Sequence, residues 1–342
     1  MSAAGTQKAI NTMKNFKAAG EAHPEVKPWI SSVETRQQLH DICWQFNQGE
    51  MPGWKGYFNR YDGYVHSANA LRGIYRAARS NGVRFFLGEE KGAVQEIVYK
   101  GTGANRKSVG IKTKSGQFHA ASLVIVATGA AASKIVPEVG GRVSAKSWSV
   151  AHVRLTDEET AALRGIPVTY ARDLGFFFEP DPKTNLLKLC PMGGGFINTN
   201  PKTGVSEAPE GVQRFVPPED ERKMRELLRQ TLPYLADRPL VEKTLCWFAD
   251  TSDSDFIVDY LPGTGATVMV LSGDSGHGFK MFPIVGSWVN NLLNAPEGKQ
   301  TEKRWQWRTN EANDGTASQD DVSWRVGVVQ ELRDIQPNVA KL

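Results

Sequence analysis

The stretch Ser272-Gly273-Asp274-Ser275-Gly276-His277-Gly278-Phe279-Lys280 decides how this chain is read. It follows a continuous apolar run, Thr267 to Leu271. After it, Ile284, Val285, Trp288, Val289, Leu292 and Leu293 are spaced as one face of a helix that runs to Asn294. A buried strand feeding a Gly-rich turn and then a helix aims backbone N–H groups and a partial positive charge at whatever lies beyond the turn. An anionic cofactor atom fits such a place, although three glycines are also what an ordinary tight turn requires.

Working outward, a second continuous run, Leu123 to Val126, ends in Ala127-Thr128-Gly129-Ala130, the form of a buried parallel strand whose glycine lets backbone approach a ligand. Before it the spacing predicts a helix over Ser67 to Ser80, with Ala68, Leu71, Ile74, Tyr75 and Ala78 on one face and a stop at Asn81-Gly82. A strand over Val83 to Leu87 follows, then a meander of three runs, Ala93 to Val98, Val109 to Thr113 and Gln117 to His119. Helix, strand, meander and strand make half of a doubly wound nucleotide domain. The other half needs a G-x-G-x-x-G turn and an acid about 20 residues on, and the sequence contains no such turn.

Ser31 and Glu34 have capping-box spacing ahead of a helix carrying Leu39, Ile42, Cys43 and Phe46. From Lys146 to Asp259 the pattern is of mixed strands with two helices, Asp157 to Arg164 and Pro218 to Leu232. Strands are expected at Gly175 to Phe178, Leu186 to Cys190, Val241 to Ala249 and Phe256 to Tyr260, the pattern of a substrate domain.

Composition excludes several classes. The 342 residues are 40% hydrophobic and 23% charged, which fits neither a disordered, a collagen-like nor a membrane-spanning chain. Lys plus Arg 41 against Asp plus Glu 37 leaves +4, scattered rather than clustered, so no nucleic acid is expected. Cys43, Cys190 and Cys246 make neither a disulfide framework nor a CxxC pair, no metal site is expected, and a reducing compartment is the default. Met1 to Gly20 carries three lysines and no acid, with Ile10, Met13 and Phe16 on one helical face. Ala340-Lys341-Leu342 is a conservative variant of the peroxisomal Ser-Lys-Leu signal, and the polar stretch from Thr309 to Asp320 would tether it.

SGDSGHGFK, preceded by KTLCWFADTSDSDF and GFFFEPDPKTNLLKLC in this order, resembles the FAD-dependent amine oxidases of the sarcosine oxidase, fructosyl amino acid (Amadori) oxidase and L-saccharopine oxidase group. The resemblance covers about Trp44 to Arg308. It implies an α/β fold with an α+β substrate domain, in which an incomplete Rossmann-like FAD domain of the D-amino acid oxidase type is interleaved with a mixed-sheet domain. The expected organisation is an N-terminal extension (1–30), a FAD-domain part (31–145), the substrate domain (146–260), a return to the FAD domain (261–308) and a flexible tail (309–342).

The same resemblance assigns residues. Cys246 matches the cysteine that attaches the flavin as a thioether, a reaction suited to a thiolate and an electron-poor ring. Read alone, it would be one more buried, inert thiol on a strand. Lys280 matches the lysine that pairs with the substrate carboxylate, and Lys188 the one that promotes reaction of reduced flavin with dioxygen. Alternation puts Lys188 on one strand face with Leu186 and Cys190, an apolar setting for a charge that stabilises developing superoxide. His277 would stand beside the flavin as a polar wall or proton relay, and Asp274, Ser275 and Gly276 belong to the cofactor turn. Thr128 and Gly129 match the second nucleotide-contacting turn, and Val94 the meander edge that meets adenine. Arg308, or Arg304, resembles an arginine that adds a second carboxylate contact. Where sarcosine oxidases carry a histidine and a tyrosine, this chain has Met192 and Phe248, against a sarcosine-like pocket.

The reaction so implied is oxidation of a secondary amine, a fructosyl amino acid or similar, with hydrogen peroxide as product and FAD covalently held. L-Saccharopine, L-pipecolate and sarcosine are alternative substrates. The missing phosphate turn leaves open a truncated or degenerate, non-catalytic member. The expected partners are an amine, dioxygen and the peroxisomal import receptor, with no membrane, and a monomer is expected.

Overall fold

The computed structural model describes residues 2–3, 7–308 and 326–335; the stretch from Thr309 to Asp320 and the tripeptide Ala340-Lys341-Leu342 lie outside the described residues. Strand β1 (Ser2–Ala3) is followed by helix α1 (Gln7–Glu21), which packs on β2 (Ile30–Val33). The buried side of α1 is Ala9 and Thr12, not the expected face, since Phe16 is 44% exposed. Small residues at the contact let the helix lie close to the strand. Helix α2 (Arg36–Ile42) starts later than the sequence suggests, because Ser31 and Ser32 are held in β2. Its capping box is made by Thr35 and Gln38: Thr35 Oγ1 accepts from Gln38 N at 3.2 Å, and Gln38 Oε1 accepts from Thr35 N at 3.1 Å. β3 (Trp54–Asn59) pairs with both β1 and β2.

Helix α3 (Ser67–Ser80) stops at Asn81 as expected, yet none of its residues is buried, and Leu71 and Ile74 are exposed. The segment 83–87 forms no strand: Phe86 meets His119 through its ring, with centroids 4.5 Å apart, rather than through a backbone ladder, and Leu87 is 64% exposed. After the short α4 (Glu89–Gly92) comes the expected antiparallel meander of β4 (Val94–Lys100), β5 (Lys107–Thr113) and β6 (Phe118–Ala120). β7 (Val124–Val126) leads through a 3₁₀ turn at Gly129–Ala131 into α5 (Ala132–Ile135).

The next strand, β8 (Ser144–Arg154), is the hub of the molecule. Past α6 (Asp157–Ala162), β9 (Thr169–Ala171), β10 (Gly175–Phe177) and β11 (Leu186–Pro191) extend the sheet from one edge of β8, and β12 (Phe196–Ile197) continues that edge. Helix α7 (Pro218–Thr231) covers one face. β13 (Leu240–Asp250) occupies the other edge of β8. Side chains alternate along each strand, and those of one set, Ala151, Val153, Phe177, Leu187 and Leu189, pack with Met224, Leu227 and Leu228 of α7 in the main core. Fully burying each such side chain contributes about 1.5–3 kcal/mol.

β14 (Ile257–Tyr260) pairs with β15 (Val268–Ser272), which lies parallel to β7. Helix α8 (Val285–Leu293) packs Leu292 and Trp288 against this small sheet, while Ile284 and Leu293 of its expected apolar face stay exposed. The C-terminal region is not all tail. β16 (Gln330–Glu331) adds to β12 in parallel, and α9 (Leu332–Ile335) buries Leu332 against Phe196 and Leu245.

A buried ion pair ties β8 to β13: Lys146 Nζ lies 2.6 Å from Asp250 Oδ2, with side-chain exposures of 4% and 1%. Removing one partner strands a charge in a medium that solvates it poorly. Asp250→Ala should therefore destabilise the chain by about 3–5 kcal/mol in urea unfolding; a loss below about 1 kcal/mol would contradict the burial described.

Candidate active site

The face of the large sheet turned away from α7 carries the other set of alternating side chains. Cross-strand partners point to the same side, so the register fixes its rows. Lys188 of β11 pairs with His152 of β8, which pairs with Val241 of β13. Tyr170 pairs with Phe176, and Phe176 with Cys190. Trp148 of β8 pairs with Cys246, and Lys146 with Phe248. One face thus holds Lys188, Cys190, Cys246 and Phe248, lined by aromatic rings; Trp148 and Phe248 lie with centroids 4.8 Å apart.

Of the three free thiols, Cys246 is exposed and Cys43 and Cys190 are buried. Burial pushes Cys190 up to about 12, although the Lys188 charge opposes the shift, and pushes Cys43 up to about 11. A third strand separates Cys190 from Cys246, so about 9–10 Å lies between their backbones, beyond the roughly 7 Å that a disulfide spans. Cys246 is thus the accessible nucleophile. Lys188 is exposed, with Nζ 5.9 Å from the centroid of the Phe178 ring. Met192 is buried, and its Sδ accepts from the Tyr170 hydroxyl at 3.2 Å.

The Gly-rich turn docks on the end of β13. Ser275 N donates to Ala249 O at 2.8 Å, and Asp274 Oδ2 accepts from Ala249 N at 3.0 Å. Thr251 N donates to Ser275 Oγ at 3.1 Å. Gly273 and Gly276 have φ of 79° and 78°, and a Cβ at Gly276 would come within 2.8 Å of the Trp148 ring. Close approach of backbone to indole, rather than a ligand, is what requires glycine there.

The turn departs from expectation in one respect. Three of its N–H groups are taken: Ser275 N by Ala249 O, as above, Gly276 N by Asp274 Oδ1 at 3.0 Å and His277 N by Asp274 O at 2.8 Å. Helix α8 begins only at Val285, after a 3₁₀ turn over Gly278–Met281, so its positive end is offset from the glycines. Asp274 acts as an internal anchor, and burial raises its carboxyl above the usual range. His277 is half-buried against Phe256, and burial, aided by the charge of Lys280, lowers its imidazole below its ordinary value. Lys280 itself is exposed.

Thr128 and Gly129 join this region, because the 3₁₀ turn at Gly129–Ala131 packs on β8 and β13. A Cβ on Gly129, whose φ is 53°, would meet nothing within 4 Å, so its backbone faces open space. Val94 lies in the meander, a different sheet. Arg308 is already engaged: Nη2 lies 2.7 and 2.8 Å from the two carboxylate oxygens of Asp253, and Arg304 rests over the ring of Trp305. Sequence reading missed β8 itself, and with it Trp148 and His152. Its alternation, Trp148-Ser149-Val150-Ala151-His152-Val153, was the available signal.

A cavity of about 140 Å³ is lined by Trp148, Gly193 to Gly195, Asp220 and Lys223 among others; none of the expected site residues lines it.

Residues 2–292 match the model of the FAD dependent oxidoreductase (DAO) family. The chain belongs to this family. It is 31% identical over 279 residues to the L-saccharopine oxidase of Schizosaccharomyces pombe, covering 78% of this chain and 62% of that protein. It is 28% identical over 237 residues to an N-methyl-L-tryptophan oxidase of Salmonella typhimurium, covering 68% and 57%. The chain therefore spans less than two thirds of the length of these relatives. Among solved structures, the Aspergillus fumigatus fructosamine oxidase Amadoriase II in complex with FSA superposes with a TM-score of 0.84 at 27% identity, covering 97% of this chain and 74% of that one. The fold is that of the fructosyl amino acid oxidases.

FAD is the family's cofactor, and the residues present fit its ring end. An exposed thiol stands on the same face as Lys188, beside the docked turn, and the backbone of Gly129 is open. The sequence holds no G-x-G-x-x-G turn for the pyrophosphate.

Burial of the His277 imidazole makes the stability of the fold depend on pH. The unfolded chain takes up this proton first, so between the folded value and the ordinary 6.5 stability rises with pH, and above 6.5 this group adds nothing more. His277→Gln should shrink the gain in melting temperature between about pH 5 and pH 7. An unchanged gain would contradict burial of the neutral ring.

Proposed function

We propose that this chain carries the ring end and substrate face of a flavin-dependent oxidase acting on the secondary amine of an N-substituted amino acid, a fructosyl amino acid or a near analogue. The observation that carries the reading is the register of β8, which puts Cys246 and Lys188 on one open face beside the turn that ends in Lys280. Relatives named for L-saccharopine, N-methyl-L-tryptophan and fructosamine support the substrate class. When bound, the flavin supplies acceptance of a hydride from the C–H next to nitrogen and its return, as two electrons, to dioxygen, with hydrogen peroxide as product.

The chain's own residues do the rest. Cys246 would hold the ring through a thioether, using the one thiol that solvent reaches. Lys280, exposed on its 3₁₀ turn, is a point charge for the substrate carboxylate. Lys188 stands over the Phe178 ring with the buried Leu186 and Cys190 on its own strand face, where a positive charge stabilises negative charge developing on dioxygen more strongly than in water. Phe248 and Trp148 form an apolar wall that keeps water from the reacting carbon. Met192 and Phe248 replace polar groups found in sarcosine oxidases, which favours a bulkier substrate than sarcosine.

The test is visible absorbance of the purified chain before and after acid precipitation. Yellow colour should stay with the pellet and leave it in Cys246→Ala. Lys188→Met should slow reoxidation of the reduced flavin on the order of 10²–10³-fold while leaving anaerobic reduction by substrate nearly unchanged. A chain that stays colourless after incubation with FAD would refute the reading.

A further inference from the structure

His152 is a titratable group on the site face to which the reading above gives no role. It pairs in register with Lys188 on one side and with Val241 on the other. Its ring is half-buried and is hydrogen-bonded to the backbone of Glu242 in the neighbouring β13. β13 is also distorted beside it: the register shifts between Val241 and Thr244, and Glu242 adopts φ 48°. Bulges of this kind re-aim side chains and recur next to active sites. The charged groups that act on the ring are Lys188 of β11 and Glu242 of the bulge, and Glu242 in turn lies 4.0 Å from Arg154 of β8. Burial first, and the Lys188 charge as well, hold His152 below its ordinary value, while Glu242 opposes them.

Resting on the oxidase reading, we propose that His152 is a positioning residue for Lys188 that restores the proton Lys188 gives up when dioxygen is reduced. Dioxygen becomes hydrogen peroxide by gaining two electrons and two protons. Both electrons and one proton come from the reduced flavin. The second proton comes from the Lys188 ammonium, whose N–H bond breaks as the new O–H bond forms. Once Lys188 is neutral, the His152 imidazole takes up a proton from solvent and passes it to the amine, so that both groups return to their starting forms. A neutral imidazole next to the ammonium suits this, since two permanent positive charges side by side would repel.

The first experiment needs no flavin. The imidazole C–H resonances of the chain's six histidines are followed by NMR over pH, with His152→Gln assigning the signal. Lys188→Met, a change at an exposed side chain, should move the His152 titration up by about half a unit or more. An unmoved titration would overturn the pairing. In the flavin-loaded chain, His152→Gln should slow reoxidation by dioxygen about tenfold and flatten its pH profile, with anaerobic reduction by substrate unchanged. Unchanged reoxidation, or an equal loss in both half-reactions, would overturn the proposal. A chain that takes up no flavin sinks the oxidase reading, and the flavin-free titration still decides whether His152 and Lys188 act as a pair.

Discussion

Strand β8 is hydrogen-bonded along both edges, and those two ladders fix the direction of eleven side chains at once. A slip of one residue would turn Ala151 and Val153 to the open face and bury His152 and Trp148 against α7. The apolar surface of α7 makes that exchange costly, so the core on one side specifies the chemistry on the other. The Lys146–Asp250 pair acts in the same sense, since it can form only in this register. Burying two charges there stabilises little by itself, but any other register would leave each uncompensated.

The Gly-rich turn depends on the same frame. It is bonded to Ala249 and Thr251 at the end of β13 and rests on the indole of Trp148. Cys246 is three residues from Ala249 on that strand, so the accessible thiol and the turn form one unit. Two exposed lysines, Lys188 from the sheet and Lys280 from the turn, give this region positive charge, whereas the Arg308 charge is neutralised by Asp253.

Much of this was legible in the sequence. The meander, the strand ending in Thr128-Gly129, the helix starting at Pro218 and the strands carrying Lys188 and Cys246 follow from alternation and turn residues, because each is a local pattern reinforced by tertiary packing. Local signals failed where tertiary pairing decides. Ser31 and Glu34 have capping-box spacing, but β2 takes Ser31 into a ladder and the box moves to Thr35 and Gln38. Val83 to Leu87 has strand composition, yet it meets the neighbouring strand through the Phe86 and His119 rings and not through its backbone. β8 was missed because serines interrupt its apolar pattern, and Ser147 and Ser149 are nevertheless buried, Ser149 by donating to Asp220 Oδ2 at 2.5 Å. Within the turn, the residue types were right for an anion site. What they do not reveal is that Asp274 itself accepts from Gly276 N and His277 N.

Of the two thiols on the sheet face opposite α7, Cys246 is exposed and Cys190 buried, so one reactive thiol is available to the cofactor. Differential alkylation of the native chain, mapped by mass spectrometry with and without FAD, tests it most directly. Cys246 alone should react quickly, Cys43 and Cys190 should react only after unfolding, and FAD should slow the reaction of Cys246. Rapid labelling of Cys190 alongside Cys246, or labelling of Cys246 at the same rate with FAD present, would contradict it.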